Sequence, residues 1–75
     1  MTDAEAFMYR LGRRVRLRRL IAERTQDQLA EAAGISRSFV SLIEKGAHGV
    51  DVVRLRRIAA ALYMRLSDLI REAEQ

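Results

Sequence analysis

The 75-residue sequence contains no cysteine, no proline and no tryptophan, and its aromatic residues are two tyrosines and two phenylalanines. Without cysteine the chain cannot be cross-linked by disulfides, and this absence fits a reducing compartment. The lack of proline and the scarcity of aromatic residues are more typical of a helical bundle than of a β-sandwich. We therefore predict a single all-α domain over residues 1–75, near the size at which one core is only marginally stable.

The sequence also has little that could perform catalysis. His48 is the only histidine, and no acidic cluster is spaced for metal binding. A nucleophile could not be paired with a general base. We expect neither an enzyme nor a bound metal or cofactor.

Long apolar runs are missing as well. No stretch approaches the roughly 20 residues that cross a bilayer, and the first residues lack the basic-then-apolar pattern of a secretion signal. The apolar residues of the first predicted helix are split between two stripes, which disfavours attachment to a membrane surface. We expect a soluble, cytoplasmic protein with no membrane partner.

Arginine, in contrast, is abundant. Thirteen arginines and one lysine oppose ten acidic residues, which gives a formal net charge of +4. An excess of cationic side chains hints at a polyanionic partner.

The segment 25–46 contains two short helix signals joined by a glycine turn. Thr25 and Gln28 form a capping box, in which each side chain satisfies a free backbone N–H at the start of a helix. Gly34 stands where the chain must turn, and Ser36 caps the next helix. Two helices joined in this way leave the second one projecting, where it can enter a groove of duplex DNA.

This segment resembles the helix-turn-helix of the Cro and lambda-repressor type, the xenobiotic-response-element family of regulators. The matching residues are Thr25, Gln26, Leu29, Ala30, Gly34, Ser36, Val40, Ile43, Glu44 and Gly46. The pattern continues through the flanking helices and covers roughly residues 8 to 71. The resemblance implies a five-helix domain, with the helix-turn-helix formed by helices 2 and 3, that regulates transcription by binding double-stranded DNA.

Five helices are predicted, at about Ala4 to Glu23, Gln26 to Ala33, Arg37 to Lys45, Val52 to Tyr63 and Leu66 to Ala73. Two corners depart from the family pattern, because Glu23 and Tyr63 stand where glycine is usual and Arg65 replaces a serine or threonine cap. We expect the left-handed helix stop to be missing after helix 1, and the corner before helix 5 to be strained or rearranged. Arg18 occupies an expected core place, so either helix 1 shifts locally or a partner buries its second face.

The predicted base-contacting residues lie in the first half of the third helix, because that end enters the major groove. They are Arg37, Ser38, Phe39, Ser41 and Leu42. Arg37 can donate two parallel hydrogen bonds to guanine, and Leu42 can lie against a thymine methyl. For Phe39 two alternatives remain: it touches thymine methyls or deoxyribose, or it bends back onto the fold.

The predicted phosphate-contacting residues are Gln26, Lys45, His48 and Arg54. Gln26 resembles the family glutamine that bonds phosphate at a helix N-terminus. The other three lie in the loop after the third helix and in the first turn of the fourth. Because each neutralised phosphate releases counterions, we expect affinity to fall steeply with salt.

Two further predictions concern contacts within the protein and between copies. The resemblance pairs Arg19 with Glu44, bridging helix 1 to the end of the third helix, whereas Glu72 and Glu74 are interpreted as a solvated helix end. Leu66, Leu69 and Ile70 are predicted to form a homodimer interface, the alternative being that they close the monomer core. A dimer would bind two half-sites about one helical turn apart.

The alternative function is a protein-interaction module. In that hypothesis the chain is a small helical antitoxin or cofactor whose basic face binds an acidic protein partner, with the helix-turn-helix serving only as a scaffold.

Overall fold

The computed structural model describes all residues from 1 to 75 and contains five α-helices and no strand. They are α1 (Asp3–Ile21), α2 (Gln26–Ala33), α3 (Arg37–Glu44), α4 (Val52–Ala61) and α5 (Leu66–Ala73). The five-helix, all-α prediction is confirmed, and α2 and α5 have the predicted bounds. Helices α1 and α4 end two residues earlier than predicted and α3 ends one residue earlier. No helix is both long and apolar enough to cross a bilayer.

Short polar side chains start four of the five helices. The side-chain oxygens of Thr2, Thr25, Ser36 and Asp51 each accept a hydrogen bond from the backbone N–H three residues later. The cap at Thr2 explains why α1 begins one residue before its predicted start. Arg65, which precedes α5, makes no such bond. This is expected, because a long cationic side chain is not among those that cap a helix N-terminus.

Four helices end with the same backbone turn. The residues that adopt a left-handed conformation there are Glu23, Gly34, Gly46 and Tyr63, with φ between 57° and 71°. In each case the N–H of the next residue donates to the carbonyl oxygen five positions earlier. The expectation that the stop after helix 1 is missing is therefore wrong. It forms without glycine, at a cost of about 1 kcal/mol of backbone strain for each non-glycine residue.

The core lies where the five helices meet. Its fully buried large side chains are Val15, Leu29, Val40, Ile43, Ile58 and Leu69. Helix α1 packs against α3 and α5, while α2 packs against α3 and α4. The exposed faces of α2 and α3 are thereby left on the surface.

Gly12 sets the distance between α1 and α3. A Cβ atom at this position would lie 2.2 Å from the carbonyl oxygen of Ile43 and 2.9 Å from that of Glu44. No side chain fits there, because both neighbours are backbone atoms. The C-terminal end of α3 therefore rests directly on the main chain of α1.

On the other side of α1, two arginines share one carboxylate of the last helix. Arg14 and Arg18 both donate to the carboxylate of Glu72, with Nε of Arg18 at 2.9 Å from Oε1. Hydrogen bonding by Arg18 lowers the pKa of Glu72 to about 2, with burial opposing the shift and Arg14 adding to it. The interpretation of Glu72 as part of a solvated helix end is therefore wrong. The ion pair with Glu72 explains why Arg18 can lie at a position near the core.

The second apolar stripe of α1 is not covered by the rest of the chain. Leu17, Leu20 and Ile21 are 41%, 52% and 60% exposed. The helix continues without a break through this region, so a local shift does not hide them.

Candidate nucleic-acid interface

Four of the predicted base-contacting residues come together on the outer face of α3. Arg37, Ser38, Ser41 and Leu42 line one shallow depression, and Gln26 from the start of α2 completes it. Helical spacing accounts for this grouping, since Val40 and Ile43 are buried on the opposite face. A surface with one guanidinium, two hydroxyls and an apolar side chain has the donors, acceptors and methyl contacts that base edges require.

Arg37 is held only weakly within the protein. Its Nε lies 3.6 Å from Oδ1 of Asp27, and both side chains are mostly exposed. An exposed pair of this kind contributes little to stability. The guanidinium is therefore free to turn toward another acceptor.

Glu44 joins three elements behind this surface. It accepts from Arg19 in a two-bond arrangement, at 2.6 Å from Nε and 3.1 Å from Nη2, and both side chains are nearly buried. The predicted Arg19 and Glu44 pair is thus present in the structure. The amide of Gln26 donates to the same carboxylate at 3.1 Å, which orients the amide and leaves its second hydrogen uncommitted.

Phe39 lies apart from the other residues of the predicted base-contacting set. Its side chain is partly buried and packs against the core, on the flank of α3 nearest the loop and α4. Arg54 lies over its ring and His48 meets it at an angle of 75°. Of the two alternatives, the structure adopts the one in which Phe39 bends back onto the fold, and the role of Phe39 toward DNA stays a prediction.

The predicted phosphate-contacting residues lie at three places around α3. Gln26 is at the start of α2, Lys45 follows the last residue of α3 and is exposed, and His48 and Arg54 lie together beside Phe39. Nδ1 of His48 is 2.6 Å from the carbonyl oxygen of Gly49. Because a carbonyl only accepts, Nδ1 carries a proton and Nε2 is left uncommitted.

Sequence reasoning missed two charged residues near this surface. Asp27 lies beside Arg37, and Arg57 lines the same depression as Phe39 and Arg54. Each has a sequence signal: Asp27 directly follows Gln26, and Arg57 is three residues after Arg54, on the same helical face. No three histidine, aspartate or glutamate side chains come together as a possible metal site.

The predicted dimer residues are not equally available. Leu69 is fully buried in the monomer core and cannot contact a second copy, so its assignment to an interface is wrong. Helix α5 packs against α1 and α4, and Leu69 lies on its buried side. Leu66 and Ile70 are partly buried and pack at the edge of the core, which leaves part of each side chain exposed.

Comparisons with known proteins agree with this geometry. A family model described as a helix-turn-helix domain matches residues 10–72. The chain belongs to this family. Helices α2 and α3 are its helix-turn-helix.

Solved structures of regulators share the whole arrangement. The clp gene regulator ClgR from Corynebacterium glutamicum is 29% identical, with a TM-score of 0.87 over 91% of this chain and 72% of that chain. The restriction-modification controller protein C.AhdI from Aeromonas hydrophila is 31% identical, with a TM-score of 0.80 over 83% of this chain and 94% of that chain. A hypothetical transcription factor, NHTF from Neisseria, is 26% identical, with a TM-score of 0.82 over 93% and 80%. None of the curated proteins compared with this sequence matches it.

The helix-turn-helix family and these neighbours define the general role of the protein. The members of the family and the neighbours are transcription regulators and not enzymes. The protein is therefore a DNA-binding regulator. The Cro and lambda-repressor-like resemblance is confirmed.

Proposed function

We propose that the protein binds a specific sequence of double-stranded DNA as a homodimer, with α3 as the recognition helix and its N-terminal half in the major groove. The observation that supports this most is the grouping of Gln26, Arg37, Ser38, Ser41 and Leu42 on one exposed surface. Base-reading and phosphate-binding side chains are thereby adjacent, as a helix-turn-helix requires when it docks.

The residues divide into two roles in this proposal. Arg37 reads a guanine through paired hydrogen bonds, Leu42 lies against a thymine methyl, and the two serines add less selective hydrogen bonds. Gln26, Lys45, His48 and Arg54 bind phosphates and set the register. Gln26 suits this role because Glu44 orients its amide while leaving one hydrogen free.

The homodimer is supported by the partly exposed Leu66 and Ile70 at the surface of α5. A dimer formed through these residues is expected to present its two recognition helices to half-sites about one helical turn apart, as helix-turn-helix dimers do. Occupancy of a two-half-site operator should then rise with dimer formation. Because dimer formation depends on the concentration of the protein, that concentration would control how much of the operator is bound.

Binding-site selection from random duplexes tests the proposal. We expect the parent protein to select a two-fold symmetric consensus, and Arg37→Ala to lose preference at one guanine in each half-site, a loss of about 1–3 kcal/mol in discrimination. Arg71→Ala is the matched control, because Arg71 is 69% exposed at its side chain, against 66% for Arg37, and also pairs with an aspartate. An identical consensus for Arg37→Ala and the parent would remove the assigned role of Arg37.

The second candidate function is binding of an acidic protein, as in an antitoxin, and α1 supplies the observation that favours it. Its exposed stripe of Leu17, Leu20 and Ile21 is flanked by Arg13 and Arg16, neither of which forms an ion pair. An apolar strip with free cations beside it suits an acidic amphipathic segment.

A mobility-shift experiment on random duplexes, with and without competitor DNA, separates the two candidates. A regulator should shift specific DNA, and Ile21→Ser should leave that shift unchanged because Ile21 is exposed on α1 and does not line the depressions that hold the proposed DNA contacts. A protein-interaction module that does not bind DNA would give no competitor-resistant shift in the parent protein.

A further inference from the structure

We propose that Phe39 is a positioning residue, which holds Arg54 and His48 for phosphate contact instead of reading bases itself. The inference rests on the DNA-binding mode proposed above. It adds a link between the recognition helix and the phosphate-binding loop, made by one aromatic ring.

The position of the ring on the recognition helix follows from the cap. The backbone N–H of Phe39 donates to Oγ of Ser36 at 3.1 Å, which places Phe39 in the first turn. Two residues correspond to about 200° around a helix, so Phe39 and Arg37 lie on opposite flanks. One flank faces the shallow depression with Ser38, Ser41 and Leu42, and the other faces the loop and α4.

Two of the proposed phosphate contacts touch this ring. The guanidinium carbon of Arg54 is 5.2 Å from the ring centroid, within the range of a cation–π contact. The imidazole centroid of His48 is 5.3 Å away with the planes at 75°, an edge-to-face arrangement. The ring therefore contacts one residue of the loop and one residue of α4 together.

These contacts leave polar groups available for a polyanion. The donors of a guanidinium lie in its own plane, so packing against a ring does not use them. In His48, Nδ1 is committed to the carbonyl of Gly49, while Nε2 is not, and Nε2 can donate to a phosphate oxygen when the ring is doubly protonated. Phe39 can thus restrain both side chains without occupying their hydrogen-bonding groups.

Asp51 shows why Arg54 needs such a restraint. Oδ2 of Asp51 is 3.8 Å from Nε of Arg54, on the same first turn of α4. The two groups already form a loose ion pair, and without the ring of Phe39 Arg54 could move closer and commit its donors to that carboxylate. The ring offers Arg54 an alternative position that keeps its donors free.

The test uses Phe39→Leu, which keeps an apolar side chain against the core but removes the aromatic ring, and Phe39→Tyr, which restores the ring. Binding to the selected operator and to random duplex is measured by fluorescence anisotropy over a series of salt concentrations. For Phe39→Leu we expect about 3- to 10-fold weaker binding to both DNAs, an unchanged consensus, and a salt slope smaller by about 1. Phe39→Tyr should bind like the parent.

A double-mutant cycle with Arg54→Ala adds a second readout. Because Phe39 acts through Arg54, the effect of Phe39→Leu should shrink in the Arg54→Ala background. Fully additive effects would overturn the inference. So would a changed consensus at one base pair with an unchanged salt slope, because that result would make Phe39 a base reader.

Two further observations keep the test decisive. Ring-current shifts of the His48 imidazole protons in NMR spectra should be lost in Phe39→Leu and kept in Phe39→Tyr, and unchanged shifts in Phe39→Leu would contradict the geometry without any DNA. If Phe39→Leu does not fold, Arg54→Ala alters an exposed cationic residue and must reduce the salt slope. Failure of the parent to prefer any sequence would instead refute the proposed function itself.

Discussion

The half of the molecule around α3 and the half around α5 are built in different ways. Around α3, small residues set the shape: Gly12 at the crossing with α1, Gly34 at the turn and Ser36 at the cap. Around α5, large residues stand at the corresponding positions. Tyr63 adopts the left-handed conformation, and Arg65 precedes the helix without capping it. The backbone turns are nevertheless the same, so one geometry is reached through two kinds of sequence.

The difference teaches that a missing glycine does not mean a missing turn. Tyr63 offsets its backbone strain through its side chain, since Arg24 donates to its hydroxyl at 2.9 Å and lies over its ring. Glu23, in the other glycine-free corner, makes no side-chain hydrogen bond. The strain is therefore compensated locally at one corner and carried by the rest of the fold at the other.

The largest expected effect comes from Gly12→Ala, which tests whether the half around α3 depends on backbone contact. The added methyl would meet carbonyl oxygens that cannot move without displacing α3. We expect a loss of about 4 kcal/mol or more in the free energy of unfolding, measured by urea denaturation. Gly49→Ala is the control, because its Cβ would meet only Sδ of Met8 at 3.5 Å. Similar losses for both variants would contradict the special role of Gly12.

The next largest effect compares the carboxylates of the two halves. Glu44→Ala leaves Arg19 nearly buried without its partner, and we expect a loss of about 3 kcal/mol. Glu72→Ala frees Arg14 and Arg18, which are about a third exposed and can be hydrated, so about 1 kcal/mol is expected. Thermal unfolding should show the larger drop in Tm for Glu44→Ala. A Tm within a degree of the parent would place Glu44 outside the network that stabilises the fold.

The dependence of stability on pH should also distinguish the α5 half. The pKa of Glu72 is lowered from 4.5 to about 2 in the folded protein. Its contribution is therefore complete above about pH 4.5 and is lost as the pH falls toward 2. Glu72→Gln should flatten the fall of Tm between pH 5 and pH 2 relative to the parent. Parallel pH profiles for the two proteins would show that Glu72 is not the group responsible.

The smallest effects have opposite signs at the two kinds of turn. Glu23→Gly should stabilise the protein by about 0.5–1 kcal/mol, because it removes left-handed strain and forfeits no side-chain bond, while Gly34→Ala should destabilise it by about 1 kcal/mol. Tyr63→Gly should gain less than Glu23→Gly because it loses the Arg24 contacts. Calorimetric Tm values for the three variants check this order. Stabilisation by Tyr63→Gly equal to that by Glu23→Gly would mean that the Arg24 contacts contribute nothing.

The same contrast explains how much of the fold could be predicted. The helix-turn-helix was accessible because its signals are local: Thr25 acts on Gln28 three residues away, and Gly34 acts on its own backbone. Glu72 bonds Arg14 and Arg18 across 58 and 54 residues, and no local pattern indicates such partners. A carboxylate near a helix end therefore looks solvated until the packing of α5 against α1 is known.

In the candidate site, helical spacing was sufficient for the outer face of α3 but not for its flank. Arg37, Ser38, Ser41 and Leu42 share a face in any helix over these residues. The place of Phe39 depends on where the loop brings His48 and where α4 begins, which is tertiary information. Periodicity could therefore leave two alternatives for Phe39, and only the packed structure distinguishes them.

Direct backbone contact at Gly12 has a consequence for how such a protein could acquire new targets. Because the end of α3 rests on main-chain atoms, its tilt does not depend on the size of any exposed side chain. Residues 37, 38, 41 and 42 can then be exchanged one at a time while the helix is presented at a constant angle. Retargeting by surface substitution alone is open to this scaffold, without compensating changes in its interior.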